Sequence, residues 1–176
     1  MVMILEKNDS TCPEHLLRRG EVQDLADILR FERAPGFHAL VGTWPEQEHA
    51  RALRDPDVEY WIVLDPGGGN AGFAILRGVQ SPHRSMELKR FVIATPGGGL
   101  GQRALAALQA HVFVSHGAHR LWLHVFPTNQ RALHVYRKAG FQQEGLLREA
   151  IYRDGQHHSV LLMAMLDREY FHSPTR

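Results

Sequence analysis

One stretch constrains the fold more than any other: Phe91-Val92-Ile93-Ala94-Thr95-Pro96-Gly97-Gly98-Gly99-Leu100-Gly101-Gln102-Arg103-Ala104-Leu105. An apolar run that reads as a strand meets a glycine cluster, and the cluster opens directly into an amphipathic helix. Glycines leave backbone N–H groups uncovered, and a helix start adds a partial positive charge. Together they form a seat for an anion, most often a phosphate. The competing reading is a strand-to-helix turn that needs positive φ angles. Four glycines between positions 97 and 101 exceed what a turn alone requires.

Two common phosphate loops can be tested residue by residue. A Walker loop would end in Gly-Lys followed by Ser or Thr, but Gly101 is followed by Gln102 and Arg103. A dinucleotide fingerprint begun at Gly97 would need a third glycine where Gln102 stands. Begun at Gly99 it reaches Ala104, an allowed variant, yet it also wants an acidic residue about twenty positions on. The matching run Arg120-Leu121-Trp122-Leu123-His124-Val125 has none, which argues against nucleotide hydride chemistry.

Patterning around that stretch predicts a mixed α/β or α+β sheet. Residues 1–15 read as a poorly specified leader, 16–166 as one domain and 167–176 as a tail. A short strand at 16–19 precedes a helical stripe over 21–29, broken at Pro35-Gly36. The loop 37–44 is rich in large apolar residues, suited to core packing or to a substrate-facing wall. A second helix follows Pro45 to about Leu53. Strands at 58–64 and 72–79 flank the turn Asp65-Pro66-Gly67-Gly68-Gly69-Asn70. The strand 85–94 changes phase: Met86 and Leu88 are even, Phe91 and Ile93 odd. One extra residue near Lys89-Arg90, a β-bulge, would put all four on one face; a strand buried on both faces is the alternative. Helix three runs to His116, with Gly99 and Gly101 expected at positive φ and Gly98 more tolerant of substitution. A strand at 118–126 leads to a helix through 129–139 with Gly140 past its end. A strand begins at Phe141, and the turn Asp154-Gly155 precedes a last strand at 158–166.

Composition narrows the function. A formal net charge of +1 gives no electrostatic case for nucleic acid. Cys12 is the only cysteine, so neither a disulfide framework nor a cysteine zinc site is available. The twelve histidines offer no i, i+4 pair on one helix, and no metal site is expected. No apolar run approaches the ~20 residues of a membrane span, and the chain reads as soluble and cytoplasmic.

Asn129 and Tyr136 are seven apart, so on a helix they share a face about 10 Å apart. The pattern Gly99-x-Gly101 after a strand, then Asn129-x-x-Ala132-x-x-x-Tyr136-x-x-x-Gly140-Phe141, resembles the GNAT superfamily of acetyl-CoA-dependent N-acetyltransferases. The run Glu144-Gly145-Leu146-Leu147-Arg148-Glu149-Ala150, with Asp154-Gly155 and Leu161-Leu162-Met163, looks like the branch that contains ribosomal-protein N-terminal acetyltransferases. The resemblance implies a largely antiparallel mixed sheet flanked by helices, with a splayed V between its two central strands. It implies that Gly97, Gly98, Gly99, Leu100, Gly101, Gln102 and Arg103 hold the coenzyme A pyrophosphate, and that Phe91, Val92 and Ile93 pair with the pantetheine arm. Asn129 would bond that arm, Tyr136 would act as general acid at the thioester sulfur, and Glu87 as base. Where the family loop begins with Gln or Arg, this chain has Pro96, and Arg103 could supply the missing charge. The expected acceptor is an amine, on a small molecule or a protein N-terminus, with a homodimer admitted and neither nucleic acid nor membrane as partner. A non-catalytic acyl-CoA-binding module on the same fold is the alternative.

Overall fold

The computed structural model describes residues 16–35, 42–94 and 97–172. The leader, residues 37–41 of the apolar loop, Thr95, Pro96 and residues 173–176 lie outside them. In chain order the elements are β1 (Leu17–Arg19), a 3₁₀ turn (Val22–Asp24), α1 (Leu25–Glu32), α2 (Glu46–Ala52), β2 (Val58–Leu64), β3 (Asn70–Arg77) and β4 (Ser85–Ile93). Then come α3 (Leu100–Ala110), a π-helical turn (His111–Ser115), β5 (Arg120–Val125), α4 (Gln130–Lys138), β6 (Gln142–Arg153), β7 (Gln156–Leu166) and α5 (Asp167–His172). The strands form one seven-stranded sheet in the order β1-β2-β3-β4-β5-β7-β6. Among the described strands only β4 and β5 pair in parallel.

The phase change in β4 is a bulge. Ile75 of β3 stands opposite Arg90 and Leu76 opposite Leu88, leaving Lys89 as the extra residue. Met86, Leu88 and Phe91 therefore pack on one core with Leu105, Leu108 and Val112 of α3 and the turn beyond it. Ile93 joins Leu100 and Ala104 on the same side. Val92 points to the other face, where Ile28 and Phe31 of α1 meet Tyr60, Ile62 and Phe73. Gly72 lets β3 approach β4 closely, since a Cβ there would stand 2.1 Å from the Val92 carbonyl oxygen.

The parallel pair is short. Ser85 pairs with Arg120, Met86 with Leu121 and Glu87 with Trp122, and there the pairing stops although both strands run on. β5 is held along its whole length by β7 instead. Past Glu87 the two central strands part, leaving the edge of β4 that faces β5 without a strand partner. That gap is the V expected from the resemblance.

Two expectations need correcting. Helix three does not continue as an α-helix to His116: it changes at Ala110 into a π-helical turn closed by the His116 N–H on the His111 carbonyl at 3.1 Å. The segment from Asp167, expected as a tail, begins a short helix. Its Tyr170 is buried and stacks on Phe113 with ring centroids 4.8 Å apart. The Asp167 N–H bond to the His119 carbonyl and the Gln142 bond to Glu169 also hold this helix, and the sequence shows no periodicity over so few residues.

Candidate active site

The glycine loop is an open cradle. Gly97, Gly98 and Gly99 take φ of 125°, 59° and 72°, and a Cβ on any of them would find no atom within 4 Å. Side chains are excluded there by backbone conformation rather than by crowding. Gly101 differs from its expectation: it lies in the first turn of α3 without positive φ, and a Cβ would make only ordinary contact with Ile93 at 3.5 Å. Gly99 is the N-cap of α3, no side chain caps the helix, and its first turn has no acidic residue. The first intrahelical bond runs from the Arg103 N–H to the Gly99 carbonyl at 3.1 Å. The N–H groups ahead of it, on Leu100, Gly101 and Gln102, are the uncompensated donors that suit an anion. A cavity of about 530 Å³ borders the loop, with Arg103 and, from α1, Arg30 in its wall. Arg30 was not legible as a site residue, because it reaches the loop only through the packing of α1 and pairs locally with Asp27 at 2.6 Å.

Both ends of α3 are tied to the C-terminal half of α4. Gln102 donates its side-chain N–H to the Val135 carbonyl at 3.0 Å, and Gln109 donates to the Ala139 carbonyl at 2.9 Å. Asn129 is the N-cap of α4, its Oδ1 accepting the Ala132 N–H at 3.1 Å. Because α3 follows β4 and α4 follows the parallel β5, both helix starts lie at strand C-termini, where sheets of this kind place ligands. Tyr136 lies on the inner face of α4, 8 % exposed, in the core shared with Leu88, Leu123 and Leu133. Its ring meets Phe141 edge-on with centroids 5.7 Å apart. Burial pushes the phenol above its ordinary pKa and keeps it protonated.

Glu87 stands at the vertex of the V and faces away from α3. It borders a cavity of about 420 Å³ together with Trp44, Lys89, Arg90, His124 and Tyr152. Lys89 pairs with it at 3.3 Å. Burial lowers the pKa of His124 below the usual histidine value, the charge of Glu87 working in the opposite direction. His124 is therefore neutral at pH 7.

A buried charged network that the sequence did not reveal shapes this cavity. Glu32, fully buried at the end of α1, pairs with Arg90 Nε at 2.8 Å. Its other oxygen accepts the Trp44 backbone N–H at 2.9 Å and lies 3.2 Å from His49 Nε2. His49 Nδ1 meets the Tyr60 hydroxyl at 2.9 Å, and Arg90 donates to the Gly42 carbonyl at 2.9 Å. The Arg90 guanidinium also lies over the Trp44 ring, 4.5 Å from its centre. Burial pulls the Arg90 pKa down, and the facing Glu32 charge opposes that. These contacts fix the chain at 42–44 as a wall of the cavity. The partners come from α1, α2, β2 and β4, so no local motif signals them.

A parallel pair that opens into a V, with a glycine cradle at a helix start beyond it, defines an acyl-CoA-dependent transferase fold. The family model described as Acetyltransferase (GNAT) domain matches residues 15–142, and the chain belongs to that family. Among curated proteins it is 31% identical over 156 residues to spermidine N(1)-acetyltransferase of Escherichia coli (strain K12), covering 85% of this chain and 80% of that protein. To the Vibrio cholerae spermidine N(1)-acetyltransferase it is 27% identical over 128 residues, 71% and 73% of the two chains. A solved spermidine N-acetyltransferase chimera from Vibrio cholerae and hSSAT superposes with a TM-score of 0.79 at 25% identity, covering 89% of this chain and 97% of that one. The Vibrio cholerae enzyme in complex with CoA and spermine gives 0.78 at 24% identity, over 88% and 96%.

The chain is thus an acetyltransferase that moves an acetyl group from acetyl-CoA to an amine. The open glycine cradle and the uncapped start of α3 fit the anionic part of that donor. These relatives are spermidine acetyltransferases, so the ribosomal-protein branch suggested by the run from Glu144 is not supported. No helix among the described residues is long and apolar enough to cross a membrane.

Proposed function

We propose that this enzyme acetylates a small primary amine that enters the cavity beside Glu87 and carries a single ammonium on an apolar or aromatic body. The observation that carries this reading is the make-up of that cavity. Its described lining holds two carboxylates, Glu87 and Asp154, against Lys89 and Arg153, the charge of Arg90 being balanced by the buried Glu32, with Trp44, Phe126 and Tyr152 as aromatic wall. A polycation would gain little there, because a site for several ammonium groups needs an excess of negative charge. The second reading is a polyamine acceptor, favoured by the names of the relatives, one of them 31% identical. Turnover of phenethylamine, spermidine and spermine, followed by thiol release, separates the two. An advantage in kcat/KM of about tenfold or more for phenethylamine is expected; the same advantage for spermidine would establish the polyamine reading instead.

The roles proposed for the chain's own residues follow from the chemistry. The amine must attack in its neutral form, and the C–N bond forms as the C–S bond breaks. Glu87, at the vertex of the V, takes the proton released by the amine, directly or through water. Tyr136, held protonated by burial, gives a proton to the departing thiolate. The unpaired edge of β4 over Phe91, Val92 and Ile93 offers backbone groups to the extended arm of the donor, as an added strand would use them. Gly97 to Arg103 seat its phosphates through backbone N–H groups, and Asn129 fixes the start of α4 beside that arm.

Glu87→Gln tests the base. It keeps the side-chain shape and loses proton acceptance together with the charge facing Lys89, so kcat is expected to fall by about 10²–10⁴-fold and the acidic limb of the pH–rate profile to flatten. Because the amine's own titration shapes that limb, wild type and variant are compared with one acceptor. Identical profiles would remove Glu87 from the mechanism.

A further inference from the structure

The π-helical turn that ends α3 brings together side chains that neither the coenzyme seat nor the acceptor cavity uses. His111 and His116 open and follow that turn, and both face Glu59 of β2. His111 Nε2 lies 2.8 Å from Glu59 Oε2, His116 Nε2 lies 3.2 Å from Glu59 Oε1, and the two imidazole nitrogens are 2.9 Å apart. On a regular α-helix residues five apart point about 140° away from each other. The i→i+5 closure of the π turn reduces that offset and lets both side chains reach one partner. A search for i, i+4 histidine pairs therefore passes over this pair.

No placement of protons satisfies all three contacts. Glu59 is ionised, since Arg19 pairs with it at 2.8 Å and the Trp61 indole N–H donates to it at 3.0 Å. If both nitrogens carry protons toward the carboxylate, the two N–H groups are forced against each other. If one presents its lone pair to its neighbour, that lone pair also faces a carboxylate oxygen. If neither carries a proton, every contact is repulsive. A divalent cation among the three groups makes every contact favourable at once, because each presents a lone pair to it.

We infer that Glu59, His111 and His116 form a binding site for a divalent transition cation, with Zn²⁺ as the best-matched ion. Two imidazoles and one carboxylate are a known zinc donor set that leaves a fourth position for water. Tetrahedral ligands at about 2.0–2.1 Å from zinc stand roughly 3.3 Å from one another, so the observed separations need to open by only a few tenths of an ångström. The Trp61 indole supplies the outer hydrogen bond that orients a ligating carboxylate, and its ring packs on His111 with centroids 4.4 Å apart. The imidazoles are about one-fifth to one-quarter exposed, so an ion can enter from solvent. His111 lies twelve positions along the helix from Gly99, roughly 18 Å at 1.5 Å per residue. The ion would pin the far end of the helix whose start seats the donor, and would not touch the reacting atoms.

The test uses the full chain stripped with chelator and titrated with Zn²⁺, followed by calorimetry and by melting temperature. One ion per chain and a rise in Tm are expected. His116→Ala should weaken binding by more than the about 10–100-fold typical of losing an outer-shell partner and abolish the rise in Tm. Trp61→Phe, which keeps all three ligands, should weaken it within that range. His157→Ala, on the distant β6–β7 hairpin, should leave both readouts unchanged. Absence of stoichiometric binding to wild type, or wild-type affinity retained in His111→Ala or His116→Ala, would overturn the inference. Should either alanine variant fail to fold, the Trp61→Phe result decides: unchanged zinc affinity there counts against the site.

Discussion

Replacing Tyr136 by Phe is expected to slow a single turnover of acetyl transfer by about 10²–10⁴-fold, the usual contribution of a positioned general acid. The change keeps the ring, its edge-on contact with Phe141 and its place in the core. It removes only the hydroxyl that burial holds in the protonated state. Melting temperature and coenzyme A affinity should change little, since one hydroxyl bond is worth about 1 kcal/mol. The rate must be measured in a single turnover, because slow product release would hide the loss in kcat. A Phe variant that transfers at the wild-type rate would leave Tyr136 as a packing residue, and another group would have to protonate the thiolate.

The largest loss of stability is expected from Glu32→Gln. The replacement is nearly isosteric but leaves the Arg90 guanidinium, 5 % exposed, without its facing charge. Removing one partner of a buried pair typically costs about 3–5 kcal/mol. In a domain of this size each kcal/mol shifts Tm by about 2–4 °C, so a fall of roughly 6–20 °C is expected. The double change Glu32→Leu with Arg90→Met should recover much of that, since an apolar pair of similar volume carries no desolvation penalty. It should not recover acceptor binding. The Trp44 N–H and the Gly42 carbonyl would lose their partners, and the cavity wall they form would loosen. Calorimetric melting of the three proteins, set beside their KM for the amine, checks both halves. A single variant as stable as wild type would show that the pair is not electrostatically coupled.

Much of this architecture was legible in the sequence because it depends on local chemistry. The glycine cluster permits the positive φ expected at Gly99, the apolar runs mark β2 to β5, and Asn129 and Gly140 bound α4. The bulge at Lys89 was readable too, because a period-two pattern that changes phase needs an extra residue to keep one face buried. The family followed from the resemblance carried by the motifs around Gly99, Asn129 and Tyr136, each lying along a single element. What depended on several elements at once was not legible. Gly101 looked like its neighbours, but helical backbone already satisfies it. The pairing of Glu32, His49, Tyr60 and Arg90 joins four elements far apart in sequence, and the charge balance of the acceptor cavity follows from it. The branch suggested by the residues after Glu144 failed for a related reason, since a strand shared across a family says little about the acceptor. His111 and His116 converge on Glu59 only because α3 widens into a π turn against β2, and a spacing rule written for α-helices has no term for that. Backbone preference acts over a few residues and can be read from them. The partner of a buried charge or of an imidazole is set by packing between elements, and only the tertiary structure decides it.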